Sequence, residues 1–302
     1  MTTFTDVETS PAPPTPARLA PTRPLYWSMR REVWESRSLY IAPLVAGAVV
    51  LFGFLIGSHR MHISGIPPAQ RDIVAVIPFD IAAMAIMFTG FIVAVFYCLG
   101  ALHNERRDRS ILFWKSLPVS DLTTVLAKAS IPLIIAPLVV FVVVIVTQLI
   151  MLLISTVVQA PHGADAMGMV WARWPLIRMS FVLLYGLATA TLWYAPIYGW
   201  LLLVSVWARR APFLWAVLPP LALCLIEAVA FGTSNVSSLL QDRLSGSFNL
   251  AFDTQGQHST LIDLSQIDPA RFFSSLGLWA GLAVAAALIA AAVWLRRSRE
   301  PT

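Results

Sequence analysis

Polar and apolar positions alternate along this chain in long blocks, not at the short periods of a soluble helix or strand. Long apolar runs occupy Leu39–Ser58, Phe79–Leu102, Ile131–Val158, Leu176–Trp207, Phe213–Phe231 and Ser275–Leu295. A helix needs about 20 such residues to cross a hydrocarbon layer of about 30 Å, so each run is long enough to span. Pro196 in the fourth run and Pro219–Pro220 in the fifth are expected to bend their helices. The pattern predicts an all-α membrane protein of six spans.

The blocks between the runs are unequal. Met1–Pro24 is polar, carries six prolines, and reads as a disordered cytoplasmic tail and not as a cleavable signal. Leu25–Ser38 reads as an interfacial helix, with Tyr26, Met29, Val33 and Tyr40 on one stripe and Trp27 and Trp34 beside it. Ser28, Arg31, Glu32 and Glu35 fall opposite, while Arg30 and Arg37 lie amid the apolar arc, where long stems reach lipid phosphates. The segments 59–78 and 159–175 are modest loops. The segment 232–274 is longer, with a short helix expected around Val236–Leu244 and an alternating stretch near Ser259–Ile267.

Charge fixes the expected orientation. With the N-terminus inside, fifteen of the 21 Lys and Arg residues fall on the cytoplasmic side. The other six, Arg60, Arg71, Arg173, Arg178, Arg243 and Arg271, fall outside. This positive-inside asymmetry favours six spans with both termini cytoplasmic and 59–78, 159–175 and 232–274 external. Composition agrees: 58% of the 302 residues are hydrophobic and 12% charged, against about 45–50% and about 25% in soluble domains. The net charge of +5 is distributed over the ends of the runs, which points to membrane topology and not to nucleic acid. Arg far outnumbers Lys, and Ala and Val are abundant, as in a GC-rich bacterial genome. Cys98 and Cys224 both lie inside apolar runs, so no secreted disulfide framework is expected.

Catalytic motifs are missing from the sequence. Neither Lys115 nor Lys128 follows a glycine, so no phosphate-binding Gly-Lys loop exists. No histidine is followed by Glu, which excludes the His-Glu-x-x-His zinc motif, and no Gly-x-Ser-Gly occurs. The expectation is a chain with no catalytic residue, no metal site and no bound cofactor of its own.

The most informative polar block joins the second and third runs. Glu105, Arg106, Arg107, Asp108 and Arg109 form a dense mixed-charge cluster, with Glu105 and Arg109 spaced as a helical pair. Ser110 follows, then an apolar knob of Phe113, Trp114 and Leu117, then Pro118 as a stop. Ser120 or Asp121 is placed to cap the next helix. Aromatics beside arginines are the residue types enriched at protein–protein hot spots. The alternative for this block is an amphipathic helix lying on lipid.

The pattern Glu105-Arg106, Ser110 and then Leu112-Phe113-Trp114-Lys115-Ser116-Leu117-Pro118-Val119-Ser120 resembles the loop of ABC-transporter permeases of the second type. Six spans, a preceding interfacial helix and a long segment between the last two spans extend the resemblance over about Leu25 to Arg299. Trp114-Lys115 departs from the smaller or apolar residues more usual there. The resemblance implies that Glu105–Pro118 is a coupling helix docking on a separate ATPase subunit, which would hold ATP and Mg. It also implies a homodimer, or a heterodimer with a related permease, in a bacterial cytoplasmic membrane, functioning as an exporter.

Within the runs, Glu227 stands out as an acid well inside a span, where an ionisable group marks a functional site or a pairing. Tyr185, Thr189 and Trp193 form one stripe of the fourth run, and Thr191, Tyr194 and Tyr198 another. They are candidates for a pathway wall or for helix–helix hydrogen bonding. An ion-driven secondary transporter and a non-transporting scaffold or accessory subunit are the alternatives to an ATP-driven permease. The first would show inverted repeats and midplane charges.

Overall fold

The computed structural model describes residues 22–58, 68–107, 120–159, 176–252 and 267–298. Of the described residues 93% are helical and none forms a strand. Among the described residues six helices are long and apolar enough to cross a membrane, by length and composition.

The chain enters through α1 (Thr22–Glu35) and turns at Ser36–Arg37 into α2 (Ser38–Ser58). Helix α1 starts three residues earlier than the sequence implies, because Pro24 lies in its first turn, where a missing N–H loses no bond. Helix α3 (Pro68–Ala101) is followed, after one turn residue, by the short α4 (His103–Arg107). That break is held from outside: the Ser205 hydroxyl accepts from the backbone N–H of Leu102 and of His103, both at 2.9 Å. His103 Nδ1 lies 3.1 Å from Ala208 O.

Helix α5 (Asp121–Ser130) opens on Ser120, whose hydroxyl accepts from the Thr123 N–H. The third span is therefore longer than the apolar run at 131–158. It includes α5, a π turn at Ile131–Ile135, and α6 (Ala136–Gln159). In the π turn the Ala136 N–H reaches Ile131 O, one residue further back than an α-helix allows. A cavity of about 70 Å³ adjoins it, lined by Phe91, Pro132, Val140, Tyr194 and Tyr198 among others.

Helix α7 (Leu176–Trp207) is the central rod, continuous through Pro196, with 56% of its apolar stretch buried. Helix α8 (Pro212–Phe231) runs through Pro219 and Pro220 with 6% buried, so its apolar surface faces outward. Helices α9 (Asn235–Ala251) and α10 (Pro269–Ser274) precede α11 (Leu276–Ser298). The short helix expected at 236–244 is thus nearly twice as long, at 17 residues, and the stretch near 259–267 lies outside the described residues except Ile267, which bridges Phe252.

Two packing seams set the bundle. Helices α7 and α11 run parallel, since Trp193 meets Gly277 at one end and Val206 clusters with Ala292 and Val293 at the other. Helices α2, α3 and α6 pack on a second seam. There a Cβ added at Gly90 would collide with the Val140 side chain, so only glycine permits the approach of α3 to α6. Outward-facing Ile41, Leu44, Val49 and Phe52 of α2 leave an apolar surface suited to lipid.

Candidate functional site

The elements on either side of the 108–119 segment meet in one buried cluster of charges. From α4, Glu105 is ion-paired with Lys128 Nζ of α5 at 3.0 Å and accepts from Arg296 Nη1 of α11 at 3.1 Å. Arg296 Nε donates to Asp121 Oδ1 at 3.0 Å, so one guanidinium links the residue that opens α5 to the helix that closes before the segment. Lys128 Nζ also donates to Glu32 Oε1 of α1 at 2.9 Å, and the Tyr97 hydroxyl of α3 donates to Glu32 Oε2 at 2.9 Å. Arg31 completes the group, 3.3 Å from Glu32, 3.4 Å from Glu35 and 3.7 Å from Glu105.

Burial makes this cluster more than a surface array. Glu32, Glu105, Lys128 and Arg296 are 5%, 8%, 3% and 6% exposed. Ions that far from water are tolerated only when each finds its counter-charge in good geometry. Among the described residues three cations face four carboxylates, contributed by α1, α4, α5 and α11. The arrangement joins both flanks of the 108–119 segment, the first helix and the last through one network of ion pairs.

The sequence residues proposed for the site separate under this geometry. Glu105 faces into the cluster and not outward. Arg106 and Arg107 end α4, and Asp108, Arg109, Ser110, Phe113, Trp114, Leu117 and Pro118 lie outside the described residues. The polar face of α1, opposite its aromatics, is turned inward, which the sequence did not indicate. Glu32, Tyr97, Lys128 and Arg296 are the site residues that sequence reading missed. Lys128 carried the available signal, as a lysine at the eighth position of a 38-residue apolar span.

The pathway candidates serve a different construction at the opposite end. Glu227 caps α9: its carboxylate accepts from the N–H of Asn235 at 2.9 Å and of Val236 at 2.7 Å, and from the Thr233 hydroxyl at 2.8 Å. Trp193 Nε1 donates to Asp242 O and the Tyr194 hydroxyl to Leu244 O, both at 3.0 Å, which fastens α9 to α7. The Arg243 guanidinium lies 4.3 Å from the Trp193 ring centroid and donates to Gly277 O. A Cβ on Gly281 would sit 2.6 Å from that guanidinium, so the glycine makes room for it. Thr189 bonds back to Tyr185 O and Gly186 O of its own helix, and Tyr185 stacks edge-on against Phe252. Asp80, one residue into the second run, is a second acid within a span; its Oδ2 is buried with no hydrogen-bond partner among the described residues.

No group of three or more His, Cys, Asp or Glu suited to a metal ion occurs among the described residues. Fold and cluster together define an all-helical protein of the multi-pass membrane type. Comparison of the chain with known families, characterised proteins and solved structures yields no match.

Proposed function

We propose that this chain is the membrane-spanning subunit of an ATP-driven transporter, exporting its substrate, with the 108–119 segment as the contact for a separate ATPase. The observation that carries the reading is that Glu105 and Asp121, on the two sides of that segment, are both paired to Arg296. A docking segment transmits force only if its base is stiff, and rigid-body shifts of helices are the usual form such force takes. Through Lys128 and Arg296 a push on the segment reaches α5 and α11, and through Glu32 it reaches α1. In this arrangement Phe113, Trp114 and Leu117 are the apolar anchors and Arg106, Arg107 and Arg109 the rim. ATP and Mg belong to the partner subunit, and a second copy or a related chain completes the pathway. The ion-driven alternative is weakened by the engagement of Glu227 in capping α9.

The test is purification of the tagged chain from its native membrane, with measurement of the accompanying vanadate-sensitive ATP hydrolysis. Truncating a buried aromatic anchor typically removes about 2 kcal/mol or more of binding, and a rim charge far less. Trp114→Ala is expected to lose most of the co-purifying hydrolysis and Arg107→Ala little, at equal membrane abundance. Absence of any such hydrolysis with the wild type, or its full retention with Trp114→Ala, would refute the docking role.

A further inference from the structure

Helix α1 sorts its charges between two faces. On the inner face Arg31 and Glu32 join the buried cluster. On the outer face Trp27, Arg30 and Trp34 recur at helical spacing, three and four residues apart. The Arg30 guanidinium carbon lies 5.3 Å from the Trp27 ring centroid and 5.0 Å from that of Trp34. Both indoles are open, 59% and 69% exposed, and Tyr26 extends the same surface, edge-on to Trp27 at 5.6 Å. Cation–π contact engages the flat faces of a guanidinium and leaves its N–H edges available. No carboxylate of the described residues lies within ion-pair range of Arg30, although Glu32 and Glu35 are close in sequence, because both are directed to Arg31 and Lys128.

The height of this face follows from α2. Its 21 residues rise about 30 Å, the whole hydrocarbon thickness, so its first turn lies at one boundary of the layer. Only Ser36 and Arg37 separate α1 from it, and the outward apolar face of α2 begins at Ile41. The outer face of α1 is therefore held at headgroup level. It offers indoles to the upper acyl region and an uncompensated cation to the phosphates, with exposed Arg37 at the same junction.

We propose that Trp27, Arg30 and Trp34 form a binding site for the phosphate of an anionic glycerophospholipid. The rings hold the guanidinium edge-out, and the absence of an acidic partner for Arg30 among the described residues selects a net negative headgroup over a zwitterionic one. Because α1 is a single helix, an occupied outer face keeps its inner face pressed against Lys128. The site is independent of the ATPase reading and stands or falls separately from it.

The test uses the full chain labelled with 5-fluorotryptophan in lipid nanodiscs, with the Trp27 and Trp34 resonances assigned from Trp27→Phe and Trp34→Phe. Replacing phosphatidylcholine by phosphatidylglycerol is expected to shift those two signals and leave that of Trp279, an exposed tryptophan at the far end, in place. One basic side chain at the surface accounts for about a fivefold preference. Arg30→Gln, on an open surface and outside every ion pair of the described residues, is thus expected to need about five times more phosphatidylglycerol for the same shift. An unchanged midpoint in Arg30→Gln would overturn the site. So would signals indifferent to lipid charge, as on a face reserved for a protein partner. The same shift produced by inorganic phosphate in phosphatidylcholine nanodiscs would overturn the lipid as its ligand.

Discussion

The two ends of the bundle hold their charges by opposite means. At the α1 end, seven ionised side chains from four helices pair with one another, and the four at the centre are almost wholly buried. At the α9 end, each principal charge is held by uncharged groups: Glu227 by two peptide N–H groups and a hydroxyl, Arg243 by a carbonyl and an indole. The first construction is collective. Removing one member strands another charge away from water, and the penalty is that of the stranded ion and not of the lost bond. The second is a set of separable fastenings, each of which positions α9 without committing the rest of the fold.

Three changes test that contrast. Lys128→Met leaves Glu32 and Glu105 buried without their shared cation and is expected to destabilise the chain by about 3–5 kcal/mol. Denaturant unfolding in detergent measures it, and adding Glu32→Gln should recover part of the loss; wild-type stability in the single variant would break the collective picture. Next in size is Gly281→Ala, whose new methyl meets the Arg243 guanidinium and should cost about 1–3 kcal/mol by overpacking. Gly57→Ala, with nothing within 4 Å of the added carbon, serves as the neutral reference. If the two alanine variants melt together, Arg243 does not depend on that gap. The smallest effect belongs to Glu227→Gln. Amide exchange should accelerate over the first turn of α9 while the global melting temperature stays within error, because the cap is local. A lowered global melting temperature would instead tie Glu227 to the core.

Much of the architecture was legible because lipid-spanning helices advertise themselves by length alone. All six apolar runs correspond to helices, and Ser120, one of two residues placed to cap α5, is the one whose hydroxyl does so. What the sequence concealed were long-range pairings. Glu32 and Lys128 are 96 residues apart and Glu105 and Arg296 191 apart, and no periodicity within one segment connects them. Periodicity within α1 set its charges opposite its aromatics but could not say what those charges meet: Glu32 pairs with Lys128 of α5, and Arg31 lies near Glu105 of α4. Glu227 was conspicuous as an acid in an apolar run, yet its use depends on where α9 begins, which follows from the turn at Gly232–Ser234 and not from the run itself.

The π turn at Ile131–Ile135 has a rotational consequence. Successive side chains on an α-helix are offset by about 100°. Val140, Val144 and Met151 mark the inward azimuth of α6. Wound back from Val144 as unbroken α-helix, the chain would deliver Lys128 about 160° away from that azimuth and Asp121 about 140° away, toward lipid. The π turn takes up one residue without advancing the winding. Lys128 then falls within about 60°, Asp121 within about 40°, and Val125 directly in line. One supernumerary residue therefore lets a single rod aim its apolar flank and its charges at the same interior. A one-residue insertion or deletion there would act as a turn of the wrist on Lys128, carrying its amine toward or away from Glu32 and Glu105 while hardly altering the length of the span.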